Sequence, residues 1–388
     1  MTHSLNRGEI IKLRINKILF GFLLVTVGCA CGAFPQHLKP PSRWITLPDP
    51  QVEIDGLPWY HENHGELYRL PLSLKDTYPR LVRALAKDPS GGRIRFRTDS
   101  TALAVRLEYP YPPGRPNMQA YGESGVDLYV DNEYWGTAIA GKDAGPGKIY
   151  NHVFFNFSDG PRVERNITLY LPLYMGVKVI ALGVDSKAVV KPPQRFAVVK
   201  PVVYYGTSIT QGGVASRPGM SYEAIVGRRL NIDFVNLGFS EAGNYEHSLA
   251  KAVATIDASC YILDGTNLNT AESMRKVFPQ FIETIRTKHQ RTPILVITPI
   301  FSSYELIRRA GEANQEDMRA FMRRVVSQFI AKGDNNIQLI EGTDLLGPLQ
   351  GDGLTDGVHP NDLGIGWIAN GLTQRLARVL RLNSQEDE

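Results

Sequence analysis

Cysteine is scarce in this sequence: three in 388 residues, at Cys29, Cys31 and Cys260. That count and spacing exclude a disulfide framework and offer no zinc motif. Long apolar runs are lacking too. The run Ile18 to Gly28 (ILFGFLLVTVG) has eleven residues, whereas a membrane-spanning helix needs ~20. No Gly-Lys-Ser/Thr follows the glycine-bearing turn at 206–213, which excludes a P-loop. An excess of one charge is also missing. The formal charge is +4, and Arg7, Lys12, Arg14 and Lys17 against Glu9 place +3 of it in the first 28 residues. The rest of the chain is nearly neutral. With 43% hydrophobic and 21% charged residues, the composition excludes a disordered, collagenous or coiled-coil chain, and the length suits two domains.

The first 28 residues have the form of a signal peptide, with a basic n-region before an apolar h-region. The run stops at Val27-Gly28-Cys29-Ala30, and a small residue before cysteine resembles a bacterial lipoprotein cleavage site, with Cys29 lipidated. Ordinary cleavage between Ala30 and Ala33 is the alternative. Either way an exported protein of the cell envelope, periplasm or exterior is expected, with the membrane reached through the lipid anchor. Residues 29–43, rich in proline, form a tether. Cys260, inside Cys260-Tyr261-Ile262-Leu263, is expected to be a buried small hydrophobe.

From 44 to 190 the period is two. Ile94, Phe96 and Thr98 alternate with Arg93, Arg95 and Arg97, and Leu103, Val105 and Leu107 follow the Asp99-Ser100 turn. Val153, Phe155 and Phe157, then Ile167, Leu169 and Leu171, repeat the pattern, which predicts a jelly-roll-like β-sandwich. Lys191-Pro192-Pro193-Gln194 marks the boundary. Beyond it, over 191–388, short apolar runs at 202–205, 232–237, 261–263, 293–298 and 337–340 alternate with helical patterns near 219–230 and 312–332. On the second of these helices, Met318, Phe321, Met322, Val325, Val326, Phe329 and Ile330 share one stripe, as core residues do. Buried strands between helices predict a parallel sheet covered on both faces, with reactive groups at the carboxyl ends of its strands.

Three such strand ends carry chemistry. Ser208, in Gly206-Thr207-Ser208-Ile209-Thr210-Gln211-Gly212-Gly213, could present hydroxyl and amide together, as an acyl-transfer nucleophile must. A plain turn is as good an account of that block alone. Asp356-Gly357-Val358-His359-Pro360 places a carboxylate three residues before an imidazole, the usual base for serine, with Pro360 expected in the first turn of the last helix. Taken alone, that block fits a helix-capping loop at least as well. Asn236-Leu237-Gly238-Phe239-Ser240 and Gly265-Thr266-Asn267-Leu268-Asn269 offer an amide N–H and an amide side chain, although turn glycine and asparagine are commonplace.

Taken in order, these blocks resemble the SGNH hydrolases of the GDSL esterase/lipase superfamily. Gly213 to Tyr222, Asn236 to Ser240 and Thr355 to Asp362 are similar to one bacterial subgroup, named for a Gly-x-Asp-Leu-Tyr motif in its N-terminal β-domain. Here that motif is Gly125-Val126-Asp127-Leu128-Tyr129, with Phe96 to Thr101 upstream. The resemblance implies a flavodoxin-like three-layer α/β hydrolase domain with Ser208 as nucleophile, His359 as base and Asp356 as its orienter. It implies an oxyanion hole from the Ser208 and Gly238 amides with Asn267, Asn269 being held in reserve. Thr207 stands where the superfamily usually has Asp, and the asparagine block departs from Gly-x-Asn-Asp and Pro-Asn-Met.

An exported serine esterase acting through an acyl-enzyme is therefore expected, on acetyl or other small esters of carbohydrate. A lipid or small-ester hydrolase, a sugar O-acyltransferase, and a catalytically impaired carbohydrate-binding lipoprotein are the rivals. This mechanism requires no metal or organic cofactor. His61 and His64 have no further ligand pattern and are expected to be loop residues. The pairs Arg228-Arg229, Arg308-Arg309 and Arg323-Arg324 are dispersed on helices, as solvated faces are, and no nucleic-acid partner is expected.

Overall fold

The computed structural model describes residues 38–157, 160–265, 270–307 and 315–382. The segment read as a signal peptide, together with Cys29, Cys31, Asn267, Asn269 and Arg308-Arg309, lies outside the described residues. From Leu38 onward the chain forms one compact unit.

The N-terminal strands are β1 (Arg43–Ile45), β2 (Glu53–Asp55), β3 (Arg93–Thr98), β4 (Ala102–Glu108), β5 (Val126–Val130), β6 (Glu133–Ala138), β7 (Ile149–Asn156), β8 (Arg165–Tyr170), β9 (Lys178–Val184) and β10 (Val190–Lys191). They pair antiparallel into two sheets, β1-β9-β4-β7 and β10-β3-β8-β5-β6, with β2 added to β3. Inward-facing Ile94, Phe96, Leu103, Val105, Leu128, Ile167 and Leu169 fill the space between them, so the period of two is met on that face. Two short helices, α1 (Arg80–Leu85) and α2 (Ala120–Ser124), lie between the strands in sequence.

The second layer system contains β11 (Val202–Gly206), β12 (Phe234–Gly238), β13 (Cys260–Asp264), β14 (Ile294–Ile297) and β15 (Ile337–Ile340), all parallel in the order β12-β11-β13-β14-β15. That is the flavodoxin-like 2-1-3-4-5 order. Its helices are α3 (Ser208–Gln211), α4 (Tyr222–Leu230), α5 (His247–Val253), α6 (Ala271–Lys288), α7 (Gln315–Ala331) and α8 (Asp362–Leu380). Alternate strand residues go to opposite faces. Val203, Tyr205, Leu237, Leu263 and Val296 pack under α5, α6 and α7, and Val202, Tyr204, Cys260, Ile262 and Leu295 under α4 and α8. With both faces covered, β11 to β14 are buried at every position, which is why they are continuous apolar runs.

The structure differs from the sequence reading at Ile330 and Pro360. Ile330 ends the α7 stripe exposed rather than in the core. Pro360 is not in the first turn of α8; it bridges Leu354, and Asn361 caps the helix by accepting from the Leu363 and Gly364 amides. The arginine face of β3 has a partner that the pattern does not name: Arg93 and Arg95 are buried. The α/β layers cover that side of the sheet, so Arg93 pairs with Asp233 and lies 3.9 Å over the Phe234 ring. Arg95 reaches Asp55 and the Gln194 carbonyl. Residues within the first span also join the hydrolase core: Trp59, Tyr68, Leu70, Val82 and Leu85 pack with β11, β12 and α5.

Candidate active site

Ser208 is the first residue of α3, immediately past β11, and is buried to 8% exposure. Gly212 ends this single turn with φ +94, a left-handed conformation that glycine adopts without steric cost. So short a helix has little stability of its own and is held from outside. Tyr174, from the loop after β8, donates to the Ser208 carbonyl at 3.0 Å. Asn236 Nδ2 donates to the Thr210 carbonyl at 2.6 Å, and Gln211 Nε2 to the Leu173 carbonyl at 3.1 Å. Thr210 Oγ1 and the Tyr222 hydroxyl both donate to Asp264 Oδ2, at 2.7 and 3.1 Å.

The loop before α8 brings the other two residues to the serine. His359 Nε2 is 2.8 Å from Ser208 Oγ, and His359 Nδ1 is 2.7 Å from Asp356 Oδ2. The second oxygen of Asp356 accepts from the backbone amides of Val358 and His359, so the carboxylate is fixed at both ends. Burial pushes the Asp356 carboxyl up, but these hydrogen bonds and the neighbouring imidazole outweigh it and hold it below the usual carboxylate range. An ionised Asp356 keeps the Nδ1 proton on its side and leaves Nε2 to accept from the serine hydroxyl.

The oxyanion donors are arranged differently from the expectation. The Gly238 amide is already used: it donates to Asn236 Oδ1 at 2.9 Å. Glycine is needed at 238 for packing, since a Cβ there would run into the backbone of Thr210 and Gln211 in α3. Three residues on, Glu241 lines the pocket beside Ser208 with φ +58. Among the described residues, nothing accepts a hydrogen bond from its amide. The loop shape, not the strand-end glycine, therefore supplies a second candidate donor beside the Ser208 amide. Left-handed backbone at a residue other than Gly, Asn or Asp was the one signal, and sequence alone does not show it.

The Gly-x-Asp-Leu-Tyr segment clamps the two layer systems together. Asp127 on β5 is fully buried and accepts from Thr137 Oγ1, Arg217 Nη1 and the Gly219 amide, at 2.6, 3.0 and 2.8 Å. The Tyr129 hydroxyl accepts from the same guanidinium at 2.7 Å. Arg217 and Gly219 belong to the loop after α3, and Ser216 in that loop donates its amide to Asp362 at the start of α8. The motif thus steadies the loop between the serine and histidine segments. Arg228 covers Tyr129 at 4.2 Å, rather than presenting a solvated face.

The pocket over Ser208 has a volume of about 240 Å³. Arg115, Met118 and Tyr174 from the sandwich side line it together with Ile209, Glu241 and His359. Pattern reasoning missed Arg115 and Tyr174, because nothing local marks a loop residue that meets a serine across the fold. His61 lies against Tyr60, and among the described residues no group of three or more His, Cys, Asp or Glu side chains could hold a metal ion.

Asp264, wholly enclosed behind α3, makes the site's support pH-dependent. Burial pushes its carboxyl from 3.8 up to about 6, although Thr210, Tyr222 and the Gly265 amide pull the other way. Its neutral form is the one the fold favours. Stability from this group is therefore full below pH ~4 and is lost as pH rises through about 6, of order 3 kcal/mol in all. We expect the urea-unfolding free energy of Asp264→Asn to lack that share of the decline between pH ~4 and ~6. Equal slopes in variant and wild type would exclude this role.

Family models and solved structures are similar to this chain over most of its length. Residues 199–380 match the GDSL-like lipase/acylhydrolase family, and residues 42–190 match the N-terminus of SGNH-hydro-type esterases carrying the Gly-x-Asp-Leu-Tyr motif. A protein from Bacteroides ovatus assigned as a GDSL-like lipase is similar at 27% identity with a TM-score of 0.78, over 89% of this chain and 100% of its own. A salicylyl-acyltransferase from a tetracycline biosynthetic pathway is 22% identical, with a TM-score of 0.73, over 88% of this chain and 99% of its own. An acetyl xylan esterase from the rumen bacterium Butyrivibrio proteoclasticus shares the fold at 12% identity and a TM-score of 0.55, over 75% of this chain and 91% of its own. No curated protein matches the chain in sequence.

Proposed function

Because the chain belongs to the GDSL-like lipase/acylhydrolase family and is an SGNH-type ester hydrolase, we propose that it is an exported serine esterase that removes acetyl or similarly small acyl groups from carbohydrate. The observation that carries this reading is the continuous contact from Ser208 through His359 to Asp356, at 2.8 and 2.7 Å. In this mechanism Ser208 Oγ attacks the ester carbonyl while His359 Nε2 takes its proton. The tetrahedral intermediate collapses, and the imidazolium returns the proton to the departing alkoxide. Water, deprotonated by His359, then attacks the acyl-serine; as the bond to Ser208 Oγ breaks the imidazolium returns the proton to that oxygen, and the acid is released. Asp356 orients the ring and stabilises its charged form. The amides of Ser208 and Glu241 would receive the oxyanion, with Asn267 or Asn269 as the remaining candidate donor.

The 240 Å³ pocket supports a short acyl group, and the fold shared with an acetyl xylan esterase supports a carbohydrate leaving group. A fluorophosphonate probe should label the wild type, and 4-nitrophenyl acetate should release acetate; absence of both would sink the catalytic reading. The fold shared with an acyltransferase favours one second reading, transfer to a sugar hydroxyl. An acetylated sugar in place of free acetate, when acceptor is present, would establish it. For the envelope, metabolic labelling with an alkynyl fatty acid should mark wild type and not Cys29→Ala. An unlabelled wild type would leave ordinary signal cleavage as the account.

A further inference from the structure

Beside the Ser208 pocket lies a larger groove of about 980 Å³, and both are walled by residues 110–118. Pro110 and Tyr111 line the groove, and Arg115, Asn117 and Met118 line the pocket. The two spaces differ in charge. In the pocket, Arg115 and Glu241 carry one charge each. In the groove, Arg83 pairs with Asp76 at 3.2 Å and Lys178 with Glu108 at 3.4 Å. Asp88 is buried, and burial pushes its carboxyl up to about 7 although the Arg69 and Arg115 charges pull the other way, so it adds little negative charge. That leaves Lys75, Arg80 and Lys87, all exposed and with no carboxylate partner among the described residues, against the single carboxylate of Glu66. Outside its leader the chain is nearly neutral, so this excess is local and not a reflection of overall basicity. Exposed Tyr111 adds an aromatic face of the kind on which a sugar ring can rest.

We propose that the groove binds an acidic polysaccharide, whose carboxylates lie against Lys75, Arg80 and Lys87 while an O-acyl group of the same chain enters the Ser208 pocket. The inference rests on the esterase reading above and adds the substrate's charge. A cationic groove raises the local concentration of an anionic chain, and salt removes the advantage because the screening length shrinks from ~30 Å at low ionic strength to a few ångströms. A neutral glycan has no such dependence.

The test uses chemically acetylated polygalacturonate and chemically acetylated linear xylan of matched acetyl content, with the full-length protein. At about 20 mM salt we expect kcat/KM on the acidic polymer to exceed that on the neutral one by about tenfold, and the ratio to fall at least fivefold by about 500 mM. The Lys75→Gln/Arg80→Gln/Lys87→Gln variant should show the same collapse of the ratio at low salt. Equal rates on the two polymers, with 4-nitrophenyl acetate still hydrolysed, would overturn this inference and leave the esterase standing. If wild type neither hydrolyses that ester nor takes the fluorophosphonate, the esterase reading fails instead. Retention on unacetylated polygalacturonate then decides: salt-sensitive binding lost in the triple variant supports the groove, and no binding overturns it.

Discussion

Ser208→Ala is expected to lower kcat on 4-nitrophenyl acetate by ~10⁴-fold or more, leaving only what binding and oxyanion donors contribute. The motive is the geometry: one hydroxyl, buried at the start of α3, has the imidazole of His359 at 2.8 Å. His359→Ala should cost about as much, since an alcohol without a base is a poor nucleophile at neutral pH. The double variant should be no worse than either single one, because the two residues act as a unit. Asp356→Asn should cost ~10⁴-fold through the wrong tautomer, as its two oxygens serve both the ring and the loop amides. Fluorophosphonate labelling should disappear in Ser208→Ala and fall steeply in His359→Ala, since the probe reports a serine activated by its base. Turnover of Ser208→Ala within tenfold of wild type would remove Ser208 from the chemistry.

Arg69→Met is expected to destabilise the protein by about 3–5 kcal/mol, a large share of the ~5–15 kcal/mol that holds a typical domain together. Arg69 is fully enclosed between the sandwich-side segment and β12. Its guanidinium donates to the carbonyls of Leu85, Asp88, Asn236 and Gly238, at 2.9, 2.7, 3.2 and 2.6 Å, and lies 4.5 Å over the Phe239 ring. Burial pulls its pKa down to about 10, so it is still charged at neutral pH. Methionine fills part of the volume but takes the guanidinium donors from four buried carbonyls, of which Leu85's keeps the Asp88 amide at 3.1 Å; each acceptor left without a donor costs ~1–3 kcal/mol before relaxation. Lysine would rescue little, because one ammonium cannot match the planar fork. Urea unfolding followed by near-ultraviolet circular dichroism measures it. A loss below ~1 kcal/mol would show that these carbonyls find other partners.

Much of the fold was legible because burial on two faces writes itself into a sequence directly. Val202 to Tyr205, Cys260 to Leu263 and Ile294 to Ile297 are apolar without interruption, which only a covered parallel strand requires. Ser208, Asp356 and His359 were legible for a related reason, since each sits in a short block whose neighbours set its local geometry. Partners assembled from distant segments were not. The alternation in β3 is visible in the sequence, but it does not say what the arginine face meets. An arginine facing another domain and an arginine facing solvent have the same pattern, and Asp233 lies 140 residues from Arg93. Gly238 looked like a donor and proved to be a packing glycine, because its amide is taken by a side chain two residues away.

Scarce cysteine, short apolar runs and a charge concentrated in the first 28 residues excluded other classes from sequence alone. Periodicity predicted a β part followed by an α/β part, and the resemblance of the Ser208, Gly238 and His359 blocks implied a hydrolase. Tertiary structure alone decided that residues 59–86 share the hydrolase core and that Asp127 holds the loop after the nucleophile. It also decided that, among the described residues, the Glu241 amide has no acceptor and three cations of one groove have no carboxylate partner. Those depend on which surfaces meet, and non-local contact leaves no period in the chain to read. The near-neutral total hid the charge that matters, because opposite signs cancel in a sum and not in space.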